Sequence, residues 1–237
     1  MVIPPLPRLK RRLHACYYRA SGWAVRHRPM RVTFGLVNFR SPVIERIERE
    51  ILPTIAHYPK GEFEIICVDN SPERNPDLEA LLKQQRFPTH YLWNEGRNTK
   101  VAAAKNQIYT LAAHPIVVYL CANHGRMYDP TWLEDLIRPM SRPRVAMTGH
   151  VKVCYDAPPE AAPPGTLFVQ GGVMAVKVDA MRKHPMPDHL PHSYSDVAIG
   201  WHLQKAGYQL ADIPTILSYW RQPTPARHHC KYVHAED

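Results

Sequence analysis

From residue 31 onward, short apolar runs alternate with stretches whose apolar residues recur every three or four positions. Residues 32–39 form the first run. Ser41-Pro42 then supplies a helix N-cap and a first-turn proline ahead of Val43, Ile44, Ile47 and Ile51 on one face. The unit repeats: residues 63–69 (FEIICVD) read as a buried strand, and Asn75-Pro76 opens a helix carrying Leu78, Leu81 and Leu82. Residues 90–93 predict a short strand, 100–113 an alanine-rich helix, 116–121 another apolar strand and 130–137 another helix. Such alternation predicts an α/β fold, a mostly parallel sheet with helices on both faces. After a run at 145–148, residues 156–165 (DAPPEAAPPG) are too rich in proline for either regular element and read as an excursion or mobile loop. Residues 172–178 are strand-like, 196–206 helical with Gly207 as C-terminal cap, and 208–213 form a last strand. No internal repeat is visible.

Upstream, residues 6–27 read as a basic amphipathic helix, with Leu6, Leu9, Leu13, Tyr17, Ala20 and Ala24 at three- and four-residue steps and Pro29 to stop it. With Tyr17, Tyr18 and Trp23 at a headgroup boundary, it suits an anionic membrane surface; the alternative is a segment packed on the domain or partly disordered. The chain thus divides into a basic segment (1–30), a main domain (31–221) and a C-terminal tail or flap (222–237).

The charge of +9 sharpens this division. Nine basic residues and no acidic one precede Glu45, so the whole excess lies there and the remainder is balanced at 21 of each sign. That balance argues against nucleic acid as a partner of the main domain. Five cysteines without a CxxC pair point to a reducing compartment. No apolar run approaches the roughly 18 residues of a membrane span, and no signal-peptide pattern opens the chain. The expected location is the cytoplasm, with residues 1–30 as a candidate peripheral contact to the inner face of a membrane.

In an open α/β sheet, ligands gather at the carboxyl ends of the strands. Here those ends read Asn38-Phe39-Arg40, Asp69-Asn70-Ser71, Asn94-Glu95-Gly96-Arg97 and Ala122-Asn123-His124-Gly125. Their joint order resembles that of the family-2 inverting glycosyltransferases with the GT-A (Rossmann-like) fold, from about residue 31 to 221. The family's V-D-(D/N)-x-S turn is similar to Val68-Asp69-Asn70-Ser71, and its N-x-G-x-x-x-A-x-N stretch, with longer spacing, to residues 94–106. Asp129-Pro130-Thr131-Trp132-Leu133, Gly171-Gly172-Val173 and Ser195-Asp196 with Ala206-Gly207-Tyr208 resemble three further family blocks.

The resemblance implies a nucleotide-diphosphate sugar donor, most often a uridine diphosphate sugar, and a glycan or lipid-linked acceptor. Asp69, beside Asn70, would accept hydrogen bonds from the base, Phe39 would pack against it, and Lys105 would contact the nucleotide, unless it is merely an exposed helix lysine. Asp196 would be the general base, since inverting transfer needs a carboxylate for the acceptor proton; a helix-capping Asp is the bland alternative. Gly171 and Gly172 would let a sugar approach the backbone, although a β-bulge explains them as well. Trp220 would line the acceptor side, unless it is simply packed.

One departure matters: where the family has Asp-x-Asp to hold a divalent metal, this chain has Asn123-His124-Gly125. Manganese or magnesium therefore stays open as a cofactor. His124, aided by His228 or His229, could bind a softer metal such as manganese. Asn123 and His124 with Arg97 or Arg126 could instead stabilise the diphosphate without metal. A third reading is a protein that binds a nucleotide sugar without transferring it. A nucleotidylyltransferase is disfavoured, because no glycine-rich phosphate loop follows the first strand.

Overall fold

A computed structural model describes residues 30–121, 126–127, 129–190, 194–213 and 220–221. The amphipathic segment 6–27, Asn123, His124, the histidine pair 228–229 and the tail 222–237 lie outside the described residues. No helix among the described residues is long and apolar enough to cross a membrane.

The core of the fold is a seven-stranded sheet in the order β3-β2-β1-β4-β7-β6-β8. Its strands are β1 (Arg31–Asn38), β2 (Glu62–Asp69), β3 (Thr89–Trp93), β4 (Ile116–Leu120), β6 (Val145–Cys154), β7 (Thr166–Lys177) and β8 (Gln209–Asp212). A two-stranded ribbon pairs β5 (Arg126–Met127) with β9 (Trp220–Arg221). Strands β1 to β4 are mutually parallel, β7 runs antiparallel to both β4 and β6, and β8 is parallel to β6. β1 and β2 are each buried over seven consecutive residues, as strands covered on both faces must be.

Two apolar clusters form these covers. One face packs β1, β2 and β4 against α1 (Val43–Arg46), α3 (Pro76–Lys83) and α5 (Trp132–Ile137); a π-helical turn at Ile47–Ile51 joins α1 to α2 (Leu52–His57). The opposite face carries α4 (Lys100–Leu111), α6 (Val178–Lys183) and α7 (Ser195–Lys205). The helices expected on both faces are therefore present.

Several boundaries differ from the sequence expectation, each for a local reason. Ser41 is not the helix cap: Pro42 stands at that position without a side-chain bond, and the Ser41 hydroxyl donates to Asn38 Oδ1 at 2.9 Å. Asn75 does cap α3, its side chain accepting from Leu78 N at 3.0 Å. The helix expected from Pro130 begins at Trp132, because Asp129 Oδ1 draws the Thr131 amide and hydroxyl into a turn. β6 and β7 extend well past the runs expected at 145–148 and 172–178, since each strand supplies the other's ladder to Cys154 and Thr166. The proline-rich connector between them buries Ala161 and Ala162 and so packs on the domain.

Candidate active site

The strand ends set the site. Register aligns Asn38 with Asp69 and Asp69 with Trp93, and the ladder runs one step further through Asn70 N to Asn38 O and Asn94 N to Asp69 O, both at 2.9 Å. Because β7 is antiparallel to β4, its middle residues lie beside the carboxyl end of β4, where Cys121 N donates to Gly172 O at 2.8 Å. Gly171 and Gly172 thus share one edge of the sheet with Asn38 and Asp69. Among the described residues, the three non-glycine residues in the left-handed region, Arg40 (φ 50°), Glu95 (φ 53°) and Lys100 (φ 63°), all follow β1 or β3 at this edge. Such conformations cost energy and concentrate at functional sites.

On the β1–β3 side the polar groups are bonded to one another. Asp69 is 0 % exposed. Its Oδ1 accepts from Asn38 Nδ2 at 3.0 Å and Ser71 N at 2.9 Å, and its Oδ2 from the Tyr91 hydroxyl at 2.7 Å. Burial raises the Tyr91 pKa above the ordinary tyrosine value, which keeps that donor protonated. Three donors leave Oδ2 one further site to accept at, but with Asp69 fully buried a base reaches it only if a neighbouring group moves aside. Asn70 is equally enclosed: its Oδ1 accepts from Asn94 Nδ2 at 2.7 Å and Thr99 Oγ1 at 3.0 Å, tying the 94–99 loop to the end of β2. Phe39, by contrast, leaves 45 % of its surface exposed where β1 ends. Arg97 is 79 % exposed and pairs with the neighbouring Glu95 at 3.3 Å.

Across the sheet, α7 brings Asp196 over β7. Gly200, one helical turn further along, makes the approach possible: a Cβ there would lie 2.9 Å from Leu167 O and 3.1 Å from Phe168 Cα. With no side chain at Gly200, the first turn of α7 sits so close to β7 that a Cβ on Gly171 would collide with the Asp196 carboxylate. Gly171 is therefore required by the space the carboxylate fills. Asp196 is not the helix cap, since Tyr194 holds that position and no side-chain capping bond is made.

Lys105 is buried in α4, not displayed on its surface. Its ammonium lies 3.0 Å from Asp196 Oδ1 and 4.2 Å from the centre of the Tyr119 ring. Burial raises the pKa of both Tyr119 and Tyr109, with the Asp196 charge adding to it, so both hydroxyls stay neutral. The role of Tyr119 was not read from the sequence. The available signal is its place one residue before the end of β4, where strand alternation puts it with Val117 against α4.

Trp220 pairs through its backbone with Met127, which brings β9 alongside the chain that follows the Asn123-His124-Gly125 segment. Anchoring that chain, the Met127 amide donates to the buried Glu50 carboxylate at 3.0 Å, and Glu50 pairs with Arg46 at 3.0 Å. Among the described residues no group of three or more metal-ligating side chains occurs. The Asn-His-Gly sequence supplies no carboxylate either. The donor set does not fit the family's usual divalent site.

A seven-stranded, mostly parallel α/β sheet whose polar residues collect at one carboxyl edge defines a Rossmann-like domain of the GT-A class. The family model for glycosyl transferase family 2 matches residues 42–192, more than half of the chain, and the chain belongs to that family. Among solved structures it is similar to a mannosyltransferase from Pyrobaculum calidifontis, PcManGT, in complex with GDP-Man and Mn2+, at 19% identity and a TM-score of 0.59. That match covers 85% of this chain and 62% of the other. GalNAc-T7 with UDP, GalNAc and Mn2+ gives the same TM-score at 14% identity, covering 79% of this chain and 43% of that one. Glucosyl-3-phosphoglycerate synthase from Mycobacterium tuberculosis, with Mn2+, UDP and phosphoglyceric acid, matches at 12% identity and a TM-score of 0.50, over 81% of this chain and 70% of its own. This chain thus spans less than two thirds of the first two. Comparison with curated proteins finds no match.

Proposed function

We propose that this protein is an inverting glycosyltransferase that moves a hexose from a nucleotide-diphosphate donor, a uridine diphosphate sugar in the first instance, to a hydroxyl of a glycan or lipid-linked acceptor. The observation that carries the reading is the Asp196 carboxylate, fixed over the side-chain-free Gly171 with Oδ1 held by Lys105 and no hydrogen bond to Oδ2 among the described residues. The Asp196 side chain keeps 22% of its surface exposed, enough to meet a second substrate. In transfer, the acceptor hydroxyl gives its proton to Asp196 and its oxygen bonds the anomeric carbon. The bond from that carbon to the diphosphate breaks, its electron pair leaving with the nucleoside diphosphate.

Phe39 is the exposed surface for the donor's base, with Asp69 behind it. Asn123, His124 and Arg97 supply polar donors and positive charge for the leaving diphosphate without a metal, and Gly172 and Trp220 belong to the acceptor side. Residues 1–30 would hold the domain at an anionic membrane surface. The missing Asp-x-Asp acids favour a second reading, a nucleotide-sugar binder without transfer.

Titration calorimetry with a panel of nucleoside diphosphates and their sugars, in EDTA and then in manganese, tests the first step. Binding that is unchanged by EDTA agrees with a metal-free site; binding that requires manganese moves the metal back to His124; no binding in either overturns the reading. Donor turnover by the purified protein then separates the transferase from the binder.

A further inference from the structure

The resemblance to family-2 enzymes implies that Lys105 touches the donor nucleotide, yet its contacts lie elsewhere. The side chain is 2% exposed, and its ammonium meets Asp196 Oδ1 from α7 and the face of Tyr119 from β4. A charge taken this far from water persists because it is paired. The Tyr119 and Tyr109 hydroxyls, kept neutral by burial and by the Asp196 charge, offer Lys105 no counter-charge, and Asp196 is the carboxylate it meets among the described residues. The pair spans α4 and α7, which are 91 residues apart in sequence.

We propose that Lys105 is a positioning residue for Asp196: it grips Oδ1 and so turns Oδ2 to the space over Gly171, where the acceptor hydroxyl delivers its proton. Without that grip the carboxylate, on a side chain that keeps 22% of its surface exposed, would rotate about its Cβ–Cγ bond and spend less time aimed at the acceptor, and misaligned reacting groups lose rate steeply. Tyr119 flanks the ammonium with its ring and Gly171 leaves room for the second oxygen. Oδ1 is thereby structural and Oδ2 chemical. The assignment rests on Asp196 being the base.

The test is a double-mutant cycle with Lys105→Met and Asp196→Asn, plus Lys105→Arg as the conservative variant. Turnover of UDP-glucose and GDP-mannose, with water as acceptor, and UDP affinity by calorimetry are the readouts. Lys105→Met should lower kcat at least tenfold while donor KM and UDP affinity stay within twofold. Lys105→Arg should recover part of the loss, and Lys105→Met should cost nothing further in the Asp196→Asn background. A loss that falls on UDP affinity instead makes Lys105 a donor contact and overturns the proposal, as does an equal loss of kcat in both backgrounds. Full turnover by Asp196→Asn alone defeats the base assignment, an outcome read without touching Lys105. Should Lys105→Met fail to fold, Lys105→Gln takes its place in the cycle: a fall in kcat with UDP affinity kept, absent in the Asp196→Asn background, supports the proposal, and unchanged kcat overturns it.

Discussion

The two halves of the carboxyl edge are built on opposite principles. On the β1–β3 side, Asn38, Asp69, Ser71 and Tyr91 satisfy one another, and Asn70 with Asn94 and Thr99 does the same one layer out. On the β4–β7 side, the Lys105–Asp196 pair spends one carboxylate oxygen and keeps the other clear of hydrogen bonds from the described residues. A closed network fixes geometry, whereas a carboxylate oxygen that meets no donor among the described residues, on a partly exposed side chain, can accept a proton. In the proposed function the first half is the surface offered to the donor and the second carries the general base.

Substitutions can break or sharpen this contrast. The largest effect is expected at Asp196: Asp196→Asn should cut turnover by about 10²–10⁴, the usual worth of a general base, and leave UDP affinity within twofold in calorimetry. Asp69→Ala acts on folding instead. It takes the Oδ1 acceptor from the buried Asn38 amide and Ser71 N, at about 1–3 kcal/mol for each buried donor left without it, so a urea midpoint well below wild type should accompany any loss of activity. Gly200→Ala pushes α7 off β7 and should cost about 1–3 kcal/mol in the same measurement while also lowering turnover, because Asp196 moves with the helix. The smallest structural effect belongs to Arg97→Ala, a surface change within about 0.5 kcal/mol of stability. If Arg97 serves the diphosphate, the loss appears in UDP affinity and steepens at low salt, where screening is weakest.

Much of the fold was legible beforehand because periodicity reports burial directly. The runs at 32–39, 63–69 and 116–121 became the adjacent parallel strands β1, β2 and β4, and Leu78 and Leu82 of the capped helix are buried in the same apolar cluster. What escaped the sequence depended on long-range pairing. The extension of β6 and β7 needs each strand as the other's partner, and Val153 and Leu167 are paired across strands yet remain exposed, so no apolar alternation marks them. Ser41 shows the same limit at short range, since its choice between helix cap and the Asn38 amide is made only once β1 has placed Asn38.

For the candidate site, the sequence alone determined which residue types stand at the strand ends, that Asp196 opens a helix, and that the Asp-x-Asp acids are absent, because these are local facts of order and spacing. It could not determine what each side chain touches. Asp69 and Asn70 turned inward, and Lys105 went to Asp196, because sheet register and the close seating of α7 on β7 bring together groups up to 91 residues apart. Burial and pairing of a charge are properties of that assembled environment, and only the tertiary structure decides them.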